Sequence, residues 1–109
     1  MYKVFVYGTL LSDIQREAVL GYKTETNYAE LEGYEVDNLN IVKKEGEIAT
    51  GLIVNVTDEG LKNLDWYEGV DKNLYNRIEV EILGEKVFAY QKCDPEQDIS
   101  VVELKRVKS

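Results

Sequence analysis

Histidine is absent from the 109-residue sequence, and cysteine occurs once, at Cys93. A single cysteine cannot form an internal disulfide, and a metal site built from Cys and His ligands needs more of these residues than the chain has. These absences predict a protein of a reducing, cytoplasmic compartment. They also exclude nucleophilic centres that depend on histidine. Carboxylates, tyrosines and backbone amides are the groups that remain for catalysis or binding.

Positive charge is also scarce, because 13 lysines and arginines stand against 21 acidic residues and give a net charge of −8. Such a chain repels phosphate backbones and anionic lipid headgroups, so we expect neither nucleic acid nor a membrane as partner. No apolar run approaches the length of a membrane-spanning helix. The short apolar N-terminus is better explained as a first strand than as a signal peptide.

Apolar residues nevertheless make up 44% of the sequence, and eight residues are tyrosine. This composition is typical of a folded globular protein, and the length predicts one domain over residues 1–109.

The first half of the chain has three clear structural patterns. Residues 2–7 are β-branched and aromatic, as in a strand covered on both faces in the middle of a sheet. Ser12 and Gln15 resemble a capping box, which predicts a helix over 13–20. The apolar positions at helical spacing there are Ile14, Ala18 and Val19. Weaker strand patterns cover 26–34 and 39–43, and a clearer one covers Ile48–Val56, where Gly51 indicates a close backbone approach or a bulge.

A second helix is predicted to begin after Thr57 and to stop at Gly69, with Leu61, Leu64 and Tyr67 on its buried side. Residues 75–83 alternate as a strand, and Gly84-Glu85 predicts a hairpin turn into 86–92. Asp94-Pro95-Glu96 is predicted to be a loop, and 99–107 fits either a terminal strand or a short helix. Together these elements predict an α+β fold, a small mixed, mostly antiparallel β-barrel with short flanking helices.

Three segments could carry chemistry: the loop after the first strand, the end of the second helix, and Tyr75-Asn76-Arg77 at the start of the next strand. After the first strand, the N–H groups of Gly8, Thr9 and Leu10 could point into one cavity and bind a carboxylate or oxyanion, although an ordinary tight turn has the same pattern. At the end of the second helix, Glu68 lies beside an apolar Leu-Trp-Tyr cluster, where burial and the helix dipole would raise its pKa. A solvated last-turn glutamate is the alternative. Asp65, one turn earlier, is expected to be structural or solvated.

Tyr75 and Arg77 lie two residues apart on a predicted strand and therefore share a face. They could border a pocket or form a polar outer surface.

Taken together, these segments resemble the γ-glutamylcyclotransferase (AIG2-like) family over residues 2–92. The resemblance is carried by Phe5-Val6-Tyr7-Gly8-Thr9-Leu10, Leu31-Glu32-Gly33-Tyr34, Gly51-Leu52-Ile53-Val54-Asn55-Val56, Leu64-Asp65-Trp66-Tyr67-Glu68-Gly69, Tyr75-Asn76-Arg77 and Ala89-Tyr90. It implies a small mixed barrel that cyclises the γ-glutamyl group of a small γ-glutamylamine or γ-glutamyl dipeptide to 5-oxoproline, without cofactor or metal.

The resemblance also implies roles for individual residues. Glu68 would be the general acid/base, and the loop of Tyr7, Gly8, Thr9 and Leu10 would hold the glutamyl end through its backbone amides. Tyr75 and Tyr90 would line the pocket. The expected partner is the small γ-glutamyl substrate, and the chain is expected to be a monomer or a weak homodimer.

The sequence departs from the family in two places. The stretch 38–42 lacks the Tyr-Pro pair common there, and the chain passes from Leu11 straight into Ser12-Asp13-Ile14 without a Gly/Gln/Asn-rich segment. Both departures concern the leaving-group side of the pocket. Two other functions stay open: a non-catalytic module that binds a small carboxylate or a protein, and an acidic mimic that occupies basic surfaces through its exposed glutamates.

Overall fold

The computed structural model describes residues 1–93; the loop predicted at 94–96 and the strand or helix predicted over 99–107 lie outside the described residues. The described elements follow one another in this order: β1 Tyr2–Val6, a 3₁₀ turn Thr9–Leu11, α1 Asp13–Leu20, β2 Thr26–Val36, β3 Ile41–Val56, α2 Asp58–Glu68, a 3₁₀ turn Val70–Lys72, β4 Tyr75–Ile82 and β5 Glu85–Lys92. Neither helix of this described part is long and apolar enough to cross a membrane.

The five strands form one sheet in the order β2-β3-β1-β5-β4. β1 pairs parallel with β5, whereas the other neighbouring strands pair antiparallel. The predicted α+β class, with a mostly antiparallel sheet and short helices, is therefore confirmed. Within the described residues the two edge strands, β2 and β4, do not pair to close the sheet, so the term barrel applies only loosely.

β1 lies at the centre of the sheet, as its uninterrupted apolar sequence predicts. Phe5 packs on one face with residues of β2, β4 and β5, while Val4 and Val6 pack on the other face beneath α1 and α2. Gly51 of β3 lies opposite this strand. A Cβ there would stand 2.1 Å from the carbonyl oxygen of Val6, which confirms the predicted close backbone approach.

Both helices begin and end where their capping residues predict. The hydroxyl of Ser12 accepts a hydrogen bond from the backbone N–H of Gln15 at 3.3 Å, and the hydroxyl of Thr57 accepts one from Gly60 at 3.0 Å. Gly69 ends α2 with a φ of +72°, a conformation that favours glycine.

The apolar spacing of α1 marks its buried side only at Val19, which packs against the core. Ile14 is 82% exposed, and Ala18 is exposed as well. Arg16 and Leu20 are the buried residues of α1 instead. The reason is tertiary: the helix turns Arg16 toward the 3₁₀ turn that precedes it, where backbone carbonyls accept its hydrogen bonds.

Two boundaries differ from the predicted ones. The strands predicted over 39–43 and 48–56 are one strand, β3, because its pairing with β2 continues on both sides of a bulge at Glu32/Tyr34. The β4–β5 turn consists of Leu83 and Gly84, both with positive φ, rather than of Gly84 and Glu85. Positive φ at both central residues matches the twist of a two-residue hairpin.

Candidate active site

One cavity opens at the end of β1, and its interior volume is about 60 Å³. All seven residues predicted for the site line it, although they come from four separate parts of the chain. The lining consists of Phe5, Val6, Tyr7, Gly8, Thr9, Leu10, Leu39, Glu68, Tyr75 and Tyr90. Sequence reasoning missed Leu39 as a lining residue.

The loop after β1 forms one wall of this cavity. Its 3₁₀ turn is closed by hydrogen bonds from the N–H of Leu11 to the carbonyl of Gly8 at 3.0 Å and from Ser12 to Thr9 at 3.1 Å. The first N–H groups of such a turn have no partner within it and remain available to an acceptor. The hydroxyl of Thr9 lies 2.7 Å from that of Tyr67, which ties the loop to α2.

A buried arginine supports the same loop from behind. Arg16 donates from Nη1 to the carbonyls of Leu10 and Leu11 at 3.0 and 3.3 Å, and from Nη2 to the carboxylate of Asp13. Its Nε has no partner among the described residues. Sequence reasoning missed this contact, because a lone arginine in a polar helix gives no signal that its guanidinium is buried.

Glu68 is the last residue of α2 and is partly buried in the cavity wall. Burial raises the pKa of its carboxyl from the ordinary 4.5 to about 7. The direction agrees with the sequence-based expectation, but the neighbours differ from those expected. Trp66 is 75% exposed and does not line the cavity, where tyrosines accompany Glu68 instead.

Three tyrosines line the cavity with Glu68, and each donates its hydroxyl hydrogen to an acceptor other than Glu68. Tyr7 donates to the backbone carbonyl of Tyr90, and Tyr75 donates to the carbonyl of Leu39 at 2.7 Å. Burial, followed by smaller effects that include the nearby Glu68 charge, raises the pKa of all three phenols. They therefore stay protonated near neutral pH and keep the cavity wall uncharged.

Asp65 lies one helical turn before Glu68 but does not line the cavity. It accepts a hydrogen bond from the hydroxyl of Tyr90 at 2.5 Å and forms an ion pair with Arg77 at 3.0 Å. The expected structural role fits this position, since Asp65 fixes a cavity tyrosine from outside. Tyr75 and Arg77 therefore have different surroundings. Tyr75 borders the cavity, whereas Arg77 lies against Asp65 and over the ring of Phe88.

The β2–β3 hairpin reaches this cavity through its turn. Asp37 and Asn40 exchange two backbone hydrogen bonds, at 2.7 and 3.1 Å, around the central residues Asn38 and Leu39. The side chain of Leu39 lines the cavity mouth. No local signal could have placed it there, because the turn pattern at 37–38 carries no information about which other loop it meets.

The chemistry of the cavity follows from these groups. It offers one carboxyl whose pKa burial raises to about 7, an aromatic wall, and the backbone N–H groups of Gly8, Thr9 and Leu10, which have no partner among the described residues. No cluster of three or more Cys, Asp or Glu side chains is placed to hold a metal ion in the described part of the chain.

The sequence model of the family described as gamma-glutamyl cyclotransferase, AIG2-like, matches residues 4–105. The chain belongs to that family. No curated protein sequence matches this family member significantly.

Solved structures agree with the assignment to the γ-glutamylcyclotransferase family. Two Arabidopsis thaliana proteins solved in solution are 27% and 29% identical to the chain, with TM-scores of 0.70 and 0.71. Each comparison covers 98% of this chain, and 75% and 82% of the respective relative. A structure named gamma-glutamyl cyclotransferase has a TM-score of 0.73 over 85% of this chain and 67% of its own length. At 18% identity, that likeness concerns the fold alone.

Proposed function

We propose that this family member cyclises the γ-glutamyl group of a small γ-glutamylamine or γ-glutamyl dipeptide to 5-oxoproline and releases the free amine. The observation that carries the proposal is the position of Glu68. A carboxyl with a pKa of about 7 shares one cavity with the loop of Tyr7–Leu10, as the chemistry of the family requires. The proposal requires no cofactor.

In the proposed reaction the α-nitrogen of the glutamyl group attacks its own γ-carbonyl carbon. A new C–N bond closes the five-membered lactam, and the bond from that carbon to the departing nitrogen breaks. The α-ammonium must first lose a proton to become nucleophilic. Ionised Glu68 accepts this first proton and delivers it to the departing nitrogen as its bond to carbon breaks. The α-nitrogen loses a second proton when the ring closes, and Glu68 passes that proton to the released amine, which leaves as an ammonium ion.

Two features of the cavity favour this course. The carboxyl of Glu68 titrates near neutral pH, where an acid and base of matched strength transfers protons most effectively. A small aromatic cavity can hold the glutamyl chain curled, and such positioning supplies much of the rate enhancement in an intramolecular attack. The unpaired N–H groups after β1 suit the glutamyl carboxylate or the oxyanion that forms on the γ-carbonyl.

The proposal is tested by measuring 5-oxoproline release from a panel of γ-glutamylamines and γ-glutamyl dipeptides. We expect turnover by the native chain and a fall in kcat of about 10²–10⁴-fold in Glu68→Gln, the usual contribution of a general acid/base. Glu59→Gln is the matched control, because Glu59 lies on the same helix but is exposed.

Two outcomes would overturn the proposal: no release from any member of the panel, or release that Glu68→Gln leaves unchanged. Calorimetric binding of a γ-glutamyl compound that stays intact would instead support the non-catalytic binding module.

A further inference from the structure

The turn of the β2–β3 hairpin is anchored to the wall of the candidate active site. The hydroxyl of Tyr75 donates to the carbonyl of Leu39 at 2.7 Å, and the side-chain oxygen of Asn40 accepts from the N–H of Lys92 at 2.7 Å. The side chain of Leu39 reaches the loop after β1: a Cβ on Gly8 would lie 3.5 Å from its Cδ2. The turn is therefore held against the cavity from two sides.

Leu39 adopts a backbone conformation that leucine rarely takes. Its φ is +63° and that of Asn38 is +53°. The second central position of such a hairpin turn is ordinarily glycine, because a Cβ crowds the backbone in the left-handed region. The other hairpin turn has a leucine with positive φ as well, Leu83, but that side chain is fully exposed and far from this cavity's lining. Unlike Leu83, Leu39 places its side chain in the lining of the cavity.

The mouth position of Leu39 determines which part of a substrate it can meet. Phe5 and Tyr90 are buried and form the floor, whereas Leu39 is 53% exposed at the opening. In the proposed reaction the glutamyl group must lie inside, against Glu68 and the loop after β1. The departing amine is then the part of the substrate that projects through the mouth, where the exposed lining residues are Thr9 and Leu39 and only Leu39 has an aliphatic side chain beyond one methyl group.

The charge of the cavity also limits which departing amines can bind. Glu68 is the only ionisable acid or base among the described lining residues apart from the protonated tyrosines. A carboxylate carried by the departing amine would therefore approach a partly ionised acid and meet no lysine or arginine on the described lining. The net charge of −8 adds to this repulsion.

We propose that Leu39 determines specificity for the departing amine, favouring an amine with an aliphatic segment next to the amide nitrogen over one that carries a carboxylate there. This inference rests on the proposed function. It assigns to Leu39 a contact with the substrate but no part in proton transfer.

The test compares three synthetic substrates, the N-butyl and N-methyl γ-amides of glutamate and γ-glutamylglycine. For the native chain we expect kcat/KM for the butylamide to exceed that for the methylamide by about tenfold, the size of effect that a few aliphatic contacts give at a half-exposed site. We expect γ-glutamylglycine to be the poorest of the three.

The decisive variant is Leu39→Gly, which removes the side chain and suits the backbone conformation. We expect it to bring the butylamide-to-methylamide ratio of kcat/KM close to one. The ratio cancels any general loss of activity, so a merely structural role of Leu39 would leave it unchanged. Leu83→Gly is the matched control, since it makes the same backbone change at a turn outside the cavity, and the ratio should stay as in the native chain.

A ratio that Leu39→Gly does not alter, an equal change in Leu83→Gly, or a preference for γ-glutamylglycine would overturn the inference. Absence of turnover for all three compounds would refute the proposed function instead. In that case calorimetry measures the ratio of the affinities for the butylamide and the methylamide. A ratio that falls toward one in Leu39→Gly and stays native in Leu83→Gly supports the role of Leu39, and any other result overturns it.

Discussion

Replacement of Glu68 by glutamine is expected to lower activity and yet stabilise the fold, because the carboxyl that would transfer protons is also partly desolvated. Its pKa is about 7 in the folded chain, against an ordinary value of 4.5. Below about pH 4 the carboxyl is protonated in both the folded and the unfolded state and costs nothing. As the pH rises above 4.5, the unfolded chain releases the proton first, so folded stability declines until the folded group has also ionised.

The size of this penalty can be bounded. A difference between 4.5 and about 7 corresponds to at most about 3 kcal/mol at pH 8, taking about 1.4 kcal/mol per pH unit. Because the side chain is only partly buried, solvent screening lowers the expected effect to about 1–2 kcal/mol. Glu68→Gln should therefore increase the free energy of unfolding by this amount at pH 8, which raises Tm by roughly 5–10 °C in a domain of this size.

Thermal unfolding of the native chain and Glu68→Gln, followed by circular dichroism from about pH 4 to pH 9, checks this expectation. The gain in Tm should be near zero at the acidic end, grow between about pH 4.5 and 7, and stay constant above. Glu47→Gln is the matched control, because Glu47 is exposed in the bulge of β3. A gain that does not vary with pH, or a loss of stability at pH 8, would refute the reasoning about burial.

Three further expectations concern the same region. The value of kcat/KM should fall as the pH drops below about 7, because protonated Glu68 cannot accept a proton, and a flat profile from pH 5 to 9 would contradict its role. Asp65→Asn should lower the free energy of unfolding by about 1–3 kcal/mol in urea titrations, because the Tyr90 hydroxyl loses a charged acceptor; an unchanged midpoint would contradict this. Gly51→Ala should prevent folding or cost more than about 3 kcal/mol, since the new Cβ would meet a backbone oxygen of β1 at 2.1 Å, whereas Gly84→Ala should cost about 1 kcal/mol.

Local signals in the sequence predicted the parts of the fold that depend on few neighbours. The caps at Ser12 and Thr57 and the stop at Gly69 lie at the observed helix ends, because a cap requires only residues within one turn. The continuity of β3 could not be predicted in the same way. Its exposed middle segment is polar, and only the pairing with β2 on both sides of the bulge makes it one strand.

In the candidate site, too, local sequence predicts some residues, and tertiary contacts place the others. Gly8 and Glu68 could be predicted as site residues because the end of a strand and the end of a helix are recognisable from the local sequence. The resemblance of the set of motifs to one family supports the same residues. Arg16 and Leu39 could not be predicted, since each acquires its position from a contact with another element: the guanidinium with carbonyls of the 3₁₀ turn, and the leucine with the wall near Gly8. Such contacts are set by tertiary packing and leave no pattern in the local sequence.

The proposed proton transfer is assigned to Glu68 and not to Asp65 because the two carboxylates of α2 have different surroundings. The two residues lie three positions apart on one helix, yet the oxygens of Asp65 already accept from Tyr90 and Arg77. Both oxygens of Asp65 are thus engaged by protein donors, which leaves this carboxylate less free to contact a substrate. Among the described residues no such donor reaches the side chain of Glu68, and burial alone raises its pKa. The two acids of α2 therefore differ in environment and not in chemical type, which supports Asp65 as an anchor for Tyr90 and Glu68 as the proposed proton carrier.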